Sequence, residues 1–135
     1  MIAVDSSVLV DVLTGDAEYG EASSRALAQA LSEGEVVISE AVVAEVQTLL
    51  DTRETVMDAL NEFGIRFEPI HEAAAVRAGH MQRRYRDRGG KRERVVADFL
   101  IGAHALLQCK ALITRDEGFF RDYYKGLKLI VPQAL

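Results

Sequence analysis

Short runs of consecutive apolar residues alternate along the chain with longer stretches in which apolar positions recur every three or four residues. The first pattern is that of a strand buried on both faces, the second that of an amphipathic helix. Five segments read as strands: Ile2–Val4, Val36–Ile38, Ile65–Phe67, Ala111–Thr114 and Leu127–Val131. Between them the periodicity predicts helices over Val8–Leu13, Ala17–Ser32, a segment from an N-cap at Ser39 to about Leu50, Arg53–Phe63, Glu72–Arg86, Arg92–Gln108 and Glu117–Tyr124. Gly34 and Gly64 stop the helices before them, and Gly89-Gly90 marks a loop. Strands and helices in alternation imply an α/β fold with a parallel sheet covered on both faces. Ligands of such sheets bind beyond the carboxyl ends of the strands, where Asp5 and Asp116 fall.

Composition narrows this to one compact domain over residues 1–135, with 49% hydrophobic residues to form its core. A single cysteine, Cys109, excludes an internal disulfide and fits a reducing compartment. The N-terminal apolar run carries Asp5 and Asp11 and is too short to cross a bilayer, so a soluble, cytoplasmic protein with no membrane partner is expected.

The net charge of −5 argues against a general nucleic-acid coat protein, yet it hides an asymmetry. RRYRDRGGKRER, from Arg83 to Arg94, holds seven basic residues against two acids, while the rest of the chain carries nine against nineteen. A solvated helix end explains such a strip, and so does a grip on a polyanion's phosphates. On the second reading Arg84, Arg88, Lys91 and Arg92 are the candidate RNA contacts.

Four carboxylates interrupt apolar sequence. Asp5 is the only charged residue in MIAVDSSVLV, and Asp98 the only formally charged one in VVADFLIGAHALLQC. Glu45 sits within EAVVAEVQTLL, and Asp116 follows the strand-like ALITR. Burying one ionised carboxylate is costly without a compensating charge, and four together suggest a shared cation. On a helix Glu45 shares its side with Ala41, Val42 and Leu49, whereas Glu40 lies roughly 140° away in the first turn, where the helix dipole explains it. Asp98 is expected to be well buried; the dipole of its helix is the competing explanation, and Arg94 its one basic neighbour in register. Ser6, Ser7 and Thr114 can orient neighbouring carboxylates by hydrogen bonding, and Ser6 can equally serve as a helix N-cap. Asp11, Asp16, Glu117 and Asp122 read as solvated surface, and GFFRDYY as a mobile aromatic helix end.

His71, His80 and His104 show no paired spacing, and one cysteine cannot build a zinc site. An oxygen-only donor set points to Mg²⁺ or Mn²⁺. No Gly-rich phosphate loop follows a strand, and no G-x-S-x-G elbow occurs, which excludes a Walker-type NTPase and disfavours a serine hydrolase.

In this order the motifs IAVDSSVLVDVL, ISEAVVAEV, VVADFLIGAHAL and LITRDEGFF resemble the PIN domain, and within it VapC-type toxin ribonucleases of toxin–antitoxin pairs. The resemblance implies a three-layer α/β/α sandwich and an acidic metal site of Asp5, Glu45, Asp98 and Asp116, with Ser6 and Thr114 in support. It further implies a homodimer, and an antitoxin whose C-terminal segment blocks the acidic pocket, often with an arginine. The family often has threonine then asparagine after the first aspartate; Ser6-Ser7 keeps the hydroxyl and loses the amide. The expected activity is Mg²⁺- or Mn²⁺-dependent endoribonucleolytic cleavage of RNA. Two other classes compete: a catalytically inert PIN-like interaction module, and a receiver-type phosphoryl-signalling domain. The latter needs an acidic pair after the first strand and a late-strand lysine, where this chain has serines and Arg115.

Overall fold

A computed structural model describes residues 1–50, 55–91 and 94–134. Five parallel strands form one sheet in the order β3-β2-β1-β4-β5: β1 Ile2–Val4, β2 Val36–Ile38, β3 Arg66–Phe67, β4 Ala111–Ile113 and β5 Leu129–Ile130. Every residue of the three central strands is buried, which is why they read as unbroken apolar triplets. The edges differ: both residues of β3 are exposed, and those of β5 are half-buried.

Seven helices are described: α1 Ser6–Thr14, α2 Gly20–Glu33, α3 Glu40–Gln47, α4 Val56–Phe63, α5 Glu72–Asp87, α6 Val96–Gln108 and α7 Glu117–Tyr123. This is the three-layer α/β/α arrangement with a central parallel sheet. Within it α1 packs on α2 and α3, α5 packs on α6, and α6 lies against β1 and β4. Among the described residues no helix is long and apolar enough to cross a membrane.

Helix ends depart from the periodicity where a polar side chain captures the backbone. α2 starts three residues later than Ala17, because Asp16 Oδ2 accepts the amides of Glu18 (3.1 Å) and Tyr19 (2.7 Å) and holds a turn there. α3 stops at Gln47, short of Leu50, and the Thr48 hydroxyl donates to the Glu45 carbonyl at 2.7 Å. α6 begins at Val96 because Val95 is extended and its amide donates to Asp98 Oδ2 at 3.1 Å. The expected starts at Arg53 and Arg92 fall outside the described residues.

The segment GFFRDYY is a packed element and not a mobile end: Phe119, Phe120 and Tyr124 are buried. Phe99 of α6 meets Phe119 edge-on at 5.2 Å and Tyr85 of α5 at 5.7 Å. The Tyr124 hydroxyl donates to the Phe99 carbonyl at 2.6 Å. Gly102 permits this closeness, since a β-carbon there would stand 2.3 Å from a Tyr124 ring atom. The aromatic wedge thereby fixes α7, and Asp116 at its N-terminus, against the helix that carries Asp98.

Candidate active site

The crossovers leave β1 and β4 in opposite directions, β1 towards β2 and β4 towards β5, so a crevice opens at their carboxyl ends. Asp5 stands in it, as the extended N-cap of α1, with its amide bonded to the Ile113 carbonyl at 2.9 Å. Ser6 is therefore the first residue of the helix rather than its cap.

Asp5 is the buried member of the acidic set, at 7% exposure, and its carboxylate is surrounded by hydroxyls. Thr114 Oγ1 donates to Asp5 Oδ2 at 2.7 Å while accepting the Asp116 amide at 3.0 Å, so one hydroxyl orients two acids. Ser7 Oγ lies 3.3 Å from Asp5 Oδ2. Ser6 Oγ lies 3.4 Å from Asp5 Oδ1 but donates to Glu45 Oε1 at 2.8 Å; with a single proton to give, it serves Glu45. Burial pushes the Asp5 carboxyl up to about 6, with the charges of Glu45 and Asp98 adding to the rise and the Thr114 bond opposing it.

Glu45, Asp98 and Asp116 are half-buried, so Asp98 is more open than its apolar surroundings suggest. Desolvation raises the Asp98 carboxyl, the Val95 amide and Arg94 lower it, and Asp116 raises it again. Asp98 is thus both a brace for its own helix end, through Oδ2, and a neighbour of the acidic crevice. Arg94 does not pair with Asp98. It clasps Asp116 with both guanidinium nitrogens, Nη1 on Oδ2 and Nη2 on Oδ1 at 3.2 Å, and its guanidinium lies 4.2 Å above the Phe119 ring.

The four acids are thereby brought to one end of the sheet, close enough to perturb one another. Among the described residues, however, no three acidic, histidine or cysteine side chains converge as they would around a bound ion. The donor chemistry suits a hard cation: oxygen atoms only, one acid buried with a raised pKa, and hydroxyls that hold orientation. What the present arrangement lacks is convergence. Each outer acid is instead turned to a local partner: Glu45 to Ser6, Asp98 to the Val95 amide, Asp116 to Arg94.

Asp11 is not the solvated residue its sequence context suggests. It is 2% exposed and accepts from Ser23 Oγ at 2.7 Å and from Arg115 at 2.7 and 3.0 Å, with Arg115 stacked 4.2 Å over Tyr19. This knot ties α1 and α2 to the turn after β4. Its signal in the sequence is spacing: Asp11 lies one turn after the buried Val8, on the inner side of α1. Ser39 takes the expected N-cap position of α3, at the carboxyl end of β2, but its buried hydroxyl makes no capping bond and has no hydrogen-bond partner among the described residues.

The basic strip divides. Lys91, Arg86 and Arg94 line a cavity of about 770 Å³ with Tyr85 and the exposed Val95 and Val96. Arg84 and Arg88 line a separate hollow of about 220 Å³ between α5 and α7, with Arg77 and Lys125. Tyr85 borders the first and Tyr123 the second, their rings in edge-on contact at 5.6 Å. Arg92 lies outside the described residues.

The family model for the PIN domain matches residues 2–126. Among solved structures the chain is similar to VapBC2 from Rickettsia felis bound to a promoter DNA fragment, at 18% identity and a TM-score of 0.73, covering 97% of this chain and 98% of that one. A toxin–antitoxin complex from Klebsiella pneumoniae aligns over the whole of both chains at 19% identity and a TM-score of 0.68. VapC20 from Mycobacterium tuberculosis, a toxin that cleaves the sarcin–ricin loop, aligns at 21% identity and a TM-score of 0.64, over 90% of this chain and 94% of that one. At these identities the likeness establishes the fold. No curated protein sequence matches the chain.

Proposed function

The chain belongs to the PIN-domain family, and from that premise we propose that it is a divalent-cation-dependent endoribonuclease, a VapC-type toxin neutralised by a cognate antitoxin. The observation that carries this reading is the gathering of Asp5, Glu45, Asp98 and Asp116, with their hydroxyl supports, at the switch point of the sheet. The toxin–antitoxin complexes among the structural neighbours support the partner. The homodimer and the cytoplasmic location rest on the family resemblance and on the single cysteine.

Asp5 and Asp98 are the first choices to hold Mg²⁺ or Mn²⁺, with Asp116 and Glu45 completing the set directly or through water. A cation held there supplies a water of lowered pKa and neutralises charge on the phosphate oxygens. Thr114 orients the Asp5 carboxylate and anchors the Asp116 backbone amide, while Ser6 holds the Glu45 carboxylate. Burial around Asp5 strengthens its electrostatic attraction for any cation that enters. Lys91 and Arg86, beside the crevice, hold the RNA backbone.

One observation favours the catalytically inert interaction module: no three acids converge among the described residues. The presence of all four acids together with Ser6 and Thr114 weighs against it, since an inert module has no use for an oriented, mutually repelling set. The test is RNA cleavage by the purified chain, free of antitoxin. Cutting in Mg²⁺ or Mn²⁺ that stops in EDTA is the expected result, and cutting indifferent to cations would overturn the reading.

A further inference from the structure

Among the described residues, Arg94 is the one side chain that forms an ion pair with an acid of the cluster. Its two-pronged contact fits a carboxylate as a guanidinium does and an ammonium does not. The pair is partly shielded, with Arg94 27% and Asp116 38% exposed, and Phe119 backs the guanidinium from the far side. The same guanidinium also borders the 770 Å³ cavity, so it has room to swing away without entering the core.

We propose that Arg94 is the resident counter-cation of Asp116, and that a divalent cation must displace it before Asp116 can join the other acids. The inference rests on the metal-site reading above and goes beyond it by assigning a restraint on cation affinity to this chain's own arginine. It also accounts for the incomplete convergence. With Asp116 clasped, the remaining acids have nothing to draw them inward, and their mutual repulsion holds them on local partners. A site that is open in only a fraction of molecules binds with an affinity reduced by that fraction.

The experiment is titration of the metal-free protein with Mn²⁺ alone, followed by calorimetry and by the rise in melting temperature. Wild type, Arg94→Met, Arg94→Lys and Asp98→Asn are compared. Removing a partly shielded bidentate pair is expected to tighten Mn²⁺ binding by roughly tenfold in Arg94→Met. Arg94→Lys, which keeps the charge and loses the fork, should fall between it and wild type. Asp98→Asn should bind weakly. If Arg94→Met does not fold, Arg94→Lys decides, and binding no tighter than wild type overturns the inference. Unchanged or weaker binding in Arg94→Met, with Asp98→Asn still impaired, overturns this inference alone and makes Arg94 a support for Asp116. Binding of Mn²⁺ by neither wild type nor Arg94→Met, or by both no better than by Asp98→Asn, removes the metal-site reading and this inference with it.

Discussion

Asp5 is held by the hydroxyls of Thr114 and Ser7 and yet keeps its proton unusually well, because hydrogen bonds do not fully replace the water it has lost. Its carboxyl lies at about 6 in the fold and near 4 in an unfolded chain, so the fold binds that proton more tightly. The contribution to stability is therefore complete below about pH 4 and is lost as pH rises through about 6. In Asp5→Asn that loss is absent. With EDTA present, the variant's advantage in melting temperature should grow by several degrees between pH 4 and pH 7, up to about 3 kcal/mol for two pKa units. A difference that does not change with pH would contradict the role given to burial. At this scale the sequence was informative about isolation and silent about partners. The four acids stood out because apolar neighbours surround them. That Asp116 would be clasped by Arg94, or Asp11 buried against Arg115 and Ser23, depends on contacts across 22, 104 and 12 positions that no local pattern encodes.

Among the elements, α7 places Asp116, and α7 is itself placed by rings. Phe119, Tyr123 and Tyr124 pack on α6 and α5, and Gly102 lets Tyr124 come close enough to bond the Phe99 carbonyl. Gly102→Ala forces a methyl group against that ring, an overpacking worth about 1–3 kcal/mol. A lowered urea midpoint is expected, and an unchanged one would mean that α7 accommodates the shift freely. The strand and helix series was legible because β1, β2 and β4 are buried on both faces and the helices carry one apolar side. Their ends were not, because Asp16, Thr48 and Asp98 each redirect backbone groups by a side-chain hydrogen bond. The aromatic run misled for a related reason: its apolar residues bury themselves against a different helix, far along the chain.

For the molecule as a whole, the fold puts an acidic crevice at the switch point of the sheet and a basic, partly apolar cavity beside it, with Arg94 bordering both. On the proposed function, the basic rim attracts a polyanion and the acidic centre a cation. Division of the basic strip makes a sharper expectation than the strip alone. Charge reversal at Lys91 and Arg86, in the larger cavity, should weaken RNA binding and flatten its salt dependence by about one unit of slope per lost phosphate contact. The same change at Arg84 and Arg88 should do less, and the opposite order would move the RNA path to the hollow between α5 and α7. The most direct test of the central claim is cleavage of a structured RNA pool by wild type and Asp98→Asn, each in Mg²⁺, Mn²⁺ and EDTA, with the product ends identified. Cutting that needs the cation, leaves 5′-phosphate and 3′-hydroxyl ends, and vanishes in a variant that melts no lower than wild type is the expected result. Cutting that survives EDTA or Asp98→Asn, or that leaves cyclic phosphates, would contradict it.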